Sequence, residues 1–163
     1  MTQPTERTLY PSLRGKRVFI TGGATGIGAC MVEAFLYQGA KVGFVDIADK
    51  RCDPRSLEDA SWHSSLAVNL DAAFFATRAI APGMAECGGG SIINFSSINA
   101  LYGPAEMPSY VTAKAGLLGL TRALASDFAR DNIRVNALVP GWVATDKQLG
   151  RWLTPEAEAK WME

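Results

Sequence analysis

The chain has 163 residues, 48% of them hydrophobic and 20% charged, and its formal net charge is zero. That length and balance fit one soluble globular domain with a real core, residues 1–163. No strongly basic stretch suggests nucleic acid, and no apolar run reaches the length of a membrane span. Cys30, Cys52 and Cys87 are odd in number and lack metal-ligand spacing, so a disulfide framework and a metal site are not expected; the thiols read as reduced, in a cytoplasmic protein.

Residues 1–14 are polar, lack a signal-peptide core and read as a flexible arm. Lys16 to Thr21 has the pattern of a short buried strand and runs into Gly22-Gly23-Ala24-Thr25-Gly26-Ile27-Gly28. Ala29 to Gln38 then predicts a helix with Cys30, Met31, Phe35 and Leu36 inward, stopped by Gly39, and Lys41 to Ile47 predicts a second strand. Strand, glycine turn, helix and strand make a βαβ unit.

The glycines have a physical purpose. Gly22 allows a tight turn out of the strand, while Gly26 and Gly28 let backbone N–H groups at a helix start approach a pyrophosphate. Asp46 ends the second strand, where a carboxylate accepts hydrogen bonds from ribose hydroxyls and repels a 2′-phosphate. NAD is therefore expected over NADP.

Ala48 to Ser56 reads as a loop, and Leu57 to Met84 as a long helix that Pro82-Gly83 ends or bends. Asn69 sits within its apolar face. It is either a satisfied core amide or a residue that holds a helix irregularity and a water near an active site. His63, the single histidine, reads as structural or surface. Gly88-Gly89-Gly90 reads as a flexible connection to a buried strand, Ser91 to Phe95, which leads to Ser96-Ser97 and a turn-rich loop, Asn99 to Pro108. Ligands of open α/β sheets bind beyond the carboxyl ends of strands, and Ser97 is placed there. A helix follows from Ser109 to Arg130 with Leu117, Leu120, Leu124 and Phe128 as one stripe, then a strand, Ile133 to Val139, ending in Pro140-Gly141-Trp142-Val143-Ala144-Thr145.

Tyr110 and Lys114 are four apart on that helix and share a face. A free tyrosine, with a pKa of about 10, is a poor base at neutral pH. A neighbouring ammonium favours the phenolate, so the pair can pass protons near pH 7.

These segments together resemble the short-chain dehydrogenase/reductase family. Thr21 to Gly28 matches T-G-x-x-x-G-x-G, Asn69 lies in a V-N-L match, and Asn94 to Ser97 matches N-x-S-S. Tyr110 and Lys114 match Y-x-x-x-K, and Ile133 to Asn136 with Pro140-Gly141 match the I-R-V-N…P-G segment. The resemblance implies a Rossmann-like, doubly wound parallel sheet with helices on both faces. It implies that Tyr110 is the general acid/base, that Lys114 assists it and binds the nicotinamide ribose, and that Ser97 hydrogen-bonds the reacting oxygen. Asn69 would hold a water linking Lys114 to solvent. Gly22, Gly26, Ile27, Gly28 and Asp46 would bind the adenosine side of the cofactor, and Pro140, Gly141, Val143 and Thr145 the nicotinamide side. The implied reaction moves a hydride between an alcohol or sugar hydroxyl carbon and the nicotinamide, with a small alcohol or carbonyl compound as substrate. A homo-oligomer through the two long helices is implied as well.

The departures from the family pattern are internal and C-terminal. Asp46 is followed almost at once by the Asn69 helix, with no N-N-A-G strand, so on the order of 50 residues are missing there. The substrate-covering segments have no counterpart after Glu163. A reduced sheet of about four strands is expected. Either the first strand pairs directly with the Ser91–Phe95 strand, or a gap leaves strand edges unpaired. The alternative to an enzyme is a non-catalytic remnant that only binds dinucleotide or dimerises.

Overall fold

Two strand–helix–strand units carry the chain. The computed structural model describes residues 8–21, 26–45, 51–141 and 143. The chain divides into two compact units, Met1–Ile47 with Val143–Glu163, and Ala48–Trp142.

In the first unit β1 (Arg17–Thr21) pairs in parallel with β2 (Lys41–Val45), Arg17 opposite Lys41 and Thr21 opposite Val45. α1 (Gly26–Tyr37) joins them and packs on both. It begins three residues earlier than its apolar pattern predicts. Val32 is its buried residue; Met31 and Phe35 are half-buried, Leu36 is 54% exposed and Cys30 is exposed. The inward placement of Leu36 and the core placement of Cys30 are therefore corrected. At about 100° per residue, Gly28, Met31, Val32 and Phe35 form one stripe, Leu36 lies at its edge and Cys30 on the opposite side. Residues of the N-terminal arm meet the end of this helix: Tyr10 N–H donates to Gln38 Oε1 at 2.7 Å, and Gln38 Nε2 donates to the Thr8 carbonyl at 2.9 Å.

The second unit opens on a 3₁₀ turn, Pro54–Ser56, capped by Asp53, whose carboxylate accepts the Arg55 N–H at 2.9 Å and pairs with its guanidinium at 2.7 Å. The Arg55 side chain, and then its N–H, hold the Asp53 carboxyl below its ordinary value. The pair is exposed, so it contributes little to stability. The long helix expected from Leu57 to Met84 is three pieces. α2 (Asp59–Leu66) passes through a π-helical turn, Ala67–Asp71, into α3 (Ala72–Glu86), which runs on through Pro82. β3 (Gly90–Phe95), the short helix α4 (Asn99–Tyr102), α5 (Pro108–Phe128), a 3₁₀ turn at Ala129–Asp131 and β4 (Ile133–Leu138) complete the unit.

β3 and β4 are parallel, Gly90 opposite Ile133 and Phe95 opposite Leu138. Alternate residues Ile92, Ile133 and Val135 form the core with Ala81 of α3 and Leu124 of α5, flanked by Met84, Ala85, Leu120, Ala125 and Phe128. The leucine stripe of α5 is thus its core face, and α3 and α5 share one face of this sheet.

Gly88-Gly89-Gly90 is a fixed turn rather than a flexible connection. Gly88 and Gly89 have φ of +83° and +125°, and a Cβ at Gly89 would stand 2.4 Å from the Asn132 carbonyl oxygen. Asn132, itself left-handed at φ +55°, donates from Nδ2 to the Gly88 carbonyl at 2.9 Å. One asparagine therefore ends the 3₁₀ turn that follows α5 and locks the entry to β3.

Among the described residues the strands form two two-stranded sheets, β1–β2 and β3–β4, with no pairing of β1 and β3. The result is a reduced, Rossmann-like α/β fold in which each described strand pair is parallel.

Candidate active site

The catalytic candidates all lie in the second unit, at the carboxyl end of β3 and on the helices beside it. α5 starts at Pro108, a residue whose missing N–H costs nothing at a helix's first turn. Tyr110 and Lys114 follow on one face, both half-buried, with the Lys114 ammonium 5.6 Å from the centroid of the Tyr110 ring.

Lys114 Nζ also donates to the Phe95 carbonyl at 2.9 Å. The direction of that carbonyl follows from the ladder. Gly90 and Ser96 donate their N–H groups to Asn132 and Leu138, and alternate residues of a parallel strand bond to the same neighbour. Ser91, Ile93 and Phe95 therefore turn their peptide groups away from β4. At the end of that outer edge the ammonium meets the Phe95 oxygen.

Ser97 is the second residue past β3. Its Oγ accepts the Asn99 N–H at 3.2 Å, which fills a lone pair and leaves the hydroxyl proton available to a substrate oxygen. Ile98 N–H donates to the Pro140 carbonyl at 3.0 Å, and Gly141 lies against Ile98. Ser97, Pro140 and Gly141 are thereby brought to the same end of the β3–β4 sheet, where ligands of open α/β sheets bind. Leu101 and Tyr102 on α4 are exposed at that end, and the Glu106 carbonyl accepts the Cys52 N–H at 2.9 Å.

Asn69 sits in the π-helical turn, and its Nδ2 donates to the Ser65 carbonyl at 3.1 Å. A π turn shifts carbonyls out of the ordinary ladder, so a side-chain amide four residues on is a fitting partner. The turn lies against α5: a Cβ at Gly116 would come within 3.0 Å of Leu70. Asn69 thus stands on the turn that packs two residues beyond Lys114.

Of the cofactor residues, Gly26, Ile27 and Gly28 form the first turn of α1 in the first unit. Gly26 has φ +56°, and the first turn carries no acidic side chain. A helix start of this kind, with N–H donors and no carboxylate, fits a pyrophosphate. Val143 is exposed. Gly22, Asp46 and Thr145 lie outside the described residues. Among the described residues no three His, Cys, Asp or Glu side chains cluster as a metal site, and no helix is long and apolar enough to cross a membrane.

Sequence reading passed over Ser96 and the Asn94–Thr121 pair. Ser96 Oγ donates to the Lys114 carbonyl at 2.7 Å, and Asn94 Nδ2 donates to Thr121 Oγ1 at 2.9 Å. Both start in the N-x-S-S stretch, and the alternation that buries Asn94 at the end of β3 and Ser96 just past it is the available signal.

A glycine-led helix start after a strand in one unit, and in the other Tyr110 and Lys114 on a helix beside a strand's carboxyl end, are features of a Rossmann-like α/β fold. Residues 50–152 match the family profile of the short chain dehydrogenases. The chain is 39% identical to a Rhizobium meliloti protein named "Probable galactose dehydrogenase", over all of this chain and 84% of the relative. It is 40% identical to the D-xylose 1-dehydrogenase of Caulobacter vibrioides, over 93% of this chain and 81% of that one. The fold superposes on a Thermus thermophilus protein with a TM-score of 0.78 and 31% identity, covering 88% of this chain and 80% of that one. The chain belongs to the short-chain dehydrogenase family. Alignment with the Rhizobium relative runs over 218 positions and takes in all 163 residues, so about 55 positions inside it have no counterpart here.

Proposed function

We propose that the chain is a single dinucleotide-binding domain, residues 1–163, that oxidises an alcohol or sugar hydroxyl carbon with NAD. The observation that carries this reading is the Lys114 ammonium, held by the Phe95 carbonyl and set against the Tyr110 ring. Its positive charge favours the phenolate. Tyr110 Oη takes the proton of the substrate hydroxyl as the carbon loses hydride. Ser97 Oγ, with one lone pair occupied by the Asn99 N–H, donates its proton to the same oxygen and orients it. Asn69 holds the π turn, and with it a water that links Lys114 to solvent.

Gly22, Gly26, Ile27 and Gly28 hold the pyrophosphate, and Asp46 accepts the ribose hydroxyls, which favours NAD over NADP. Pro140, Gly141, Val143 and Thr145 hold the nicotinamide end. The bound nicotinamide supplies the hydride acceptor. The sugar dehydrogenases among the relatives support an aldose as the first substrate class to try. The three free thiols support a reducing, cytoplasmic compartment. Exposed Phe74 and Phe75, with Arg78 stacked over both rings at 5.6 and 5.1 Å, support a homo-oligomer through α3 and α5.

Two-stranded sheets among the described residues and about 55 missing positions favour a second reading, a remnant that binds dinucleotide or dimerises without turnover. The test is a thermal melt with and without saturating NAD, followed by NADH production with D-xylose and D-galactose. A cooperative transition raised by NAD, with turnover, supports the enzyme. A raised transition without turnover supports the remnant, and a transition indifferent to NAD removes both dinucleotide readings.

A further inference from the structure

The reaction reading rests on Lys114 standing in one place, and a long flexible side chain does not fix its own position. Side-chain hydrogen bonds tie α5 to β3 and the residue after it. Asn94 bonds Thr121 two helical turns past Lys114. Lys114 Nζ bonds the Phe95 carbonyl. Ser96, 5% exposed, donates from Oγ to the Lys114 carbonyl at 2.7 Å. The last two form a reciprocal clasp. The side chain of Lys114 reaches a main-chain oxygen of β3, and the next residue's side chain reaches the main-chain oxygen of Lys114.

A helix carbonyl already accepts the N–H four residues on, so the helix does not require the serine hydroxyl. Its effect is on placement. We infer that Ser96 is a positioning residue: its hydroxyl pins the Lys114 turn to the carboxyl end of β3 and so sets where the ammonium stands beside Tyr110. Ser96 and Ser97 then divide the work, the first gripping the helix and the second facing the reacting oxygen. Without Ser96 the turn loses its main-chain tie to the end of β3, and the ammonium samples positions away from the phenol. A misplacement of about 1 Å at such a site can cost a hundredfold in rate.

This inference rests on Tyr110 and Lys114 being the catalytic pair, and its experiment has a readout that needs no turnover. Reductive methylation of the full chain, followed by mass spectrometry, reports the reactivity of Lys114 against exposed Lys16 and Lys41. In Ser96→Ala the Lys114 rate is expected to rise about fivefold, as the loss of one net hydrogen bond implies, while Lys16 and Lys41 are unchanged. With turnover present, kcat falls at least about tenfold, the KM for NAD stays near its original value, and Ser96→Thr restores kcat. If Ser96→Ala does not fold, Ser96→Cys, closer in size and a weak donor, takes its place with the same expected direction. A folded variant whose Lys114 rate is unchanged, or whose loss appears in KM alone, overturns the positioning role. Absence of turnover in the unmutated chain removes the enzyme reading and leaves the labelling to decide Ser96.

Discussion

The side-chain amide of Asn94 donates to the hydroxyl of Thr121 at 2.9 Å, and that hydroxyl donates onward to the Leu117 carbonyl at 2.7 Å. Both side chains are buried. The chain of bonds fixes the register of α5 on β3. Thr121→Val keeps the shape but leaves the Asn94 donor without its acceptor. It is expected to cost roughly 1–3 kcal/mol, a fall in Tm of about 2–4 °C per kcal/mol. Thr121→Ser recovers most of it. An unchanged melt in Thr121→Val would mean that the amide has a second partner within reach.

Tyr110→Phe removes one oxygen and leaves the ring. Turnover is expected to fall by about a hundredfold or more, with the melting transition and its shift by NAD preserved. Steady-state NADH production reads the first effect and a melt the second. Turnover near the original rate would take the phenol out of the mechanism.

Asp46 is the carboxylate proposed for the adenosine ribose. In Asp46→Ala the ratio of NAD to NADP affinity is expected to drop about tenfold, the loss of a charge-assisted hydrogen bond and of a repulsive charge. Titration with each dinucleotide measures the ratio. If it does not move, the preference arises elsewhere.

Two glycines give opposite expectations. A Cβ at Gly83, inside α3, meets nothing within 4 Å, so Gly83→Ala is expected to stabilise by about 0.5–1 kcal/mol. At Gly89 the backbone is at φ +125° and a Cβ would stand 2.4 Å from a backbone oxygen, so Gly89→Ala is expected to cost about 1–3 kcal/mol or more. Denaturant melts of the pair order them, and the reverse order would contradict the turn.

Association through α3 and α5 is expected to give a dimer or larger species at micromolar concentration. Light scattering reads the mass directly. Replacing Phe75 with Glu on that face is expected to shift the mass toward the monomer while retaining the melt. A monomeric mass in the unmutated chain counts against the interface.

The residues were readable in the sequence; their partners across space were not. Glycines after an apolar run, β-branched strands and a leucine stripe obey local rules of period and backbone freedom, so β1, β3, β4 and α5 are found within a few residues of where the pattern puts them. Tyr110 and Lys114 share a face because a helix repeats every 3.6 residues, a local fact. Asn69, an amide in an apolar stripe, reads either as a satisfied core amide or as the holder of a helix irregularity and a water; it sits in a π turn with its amide bonded to the Ser65 carbonyl. Leu36 and Cys30 were misplaced because a short apolar helix offers more than one stripe, and only the sheet it covers chooses between them. The glycine run at 88–90 looked like slack, since nothing local announces Asn132, over 40 residues away.

The tertiary structure alone decided how the strands group and what holds Lys114. Pairing depends on which edges meet, and among the described residues β1 meets β2 and β3 meets β4. The Phe95 carbonyl, turned away from β4, and the Ser96 hydroxyl, turned toward α5, become partners of Lys114 only when strand and helix pack. Sequence determined which chemical groups the chain carries and the local elements that carry them. Packing determined their distances, because a distance between residues far apart in the chain is a property of the fold and not of any period along it.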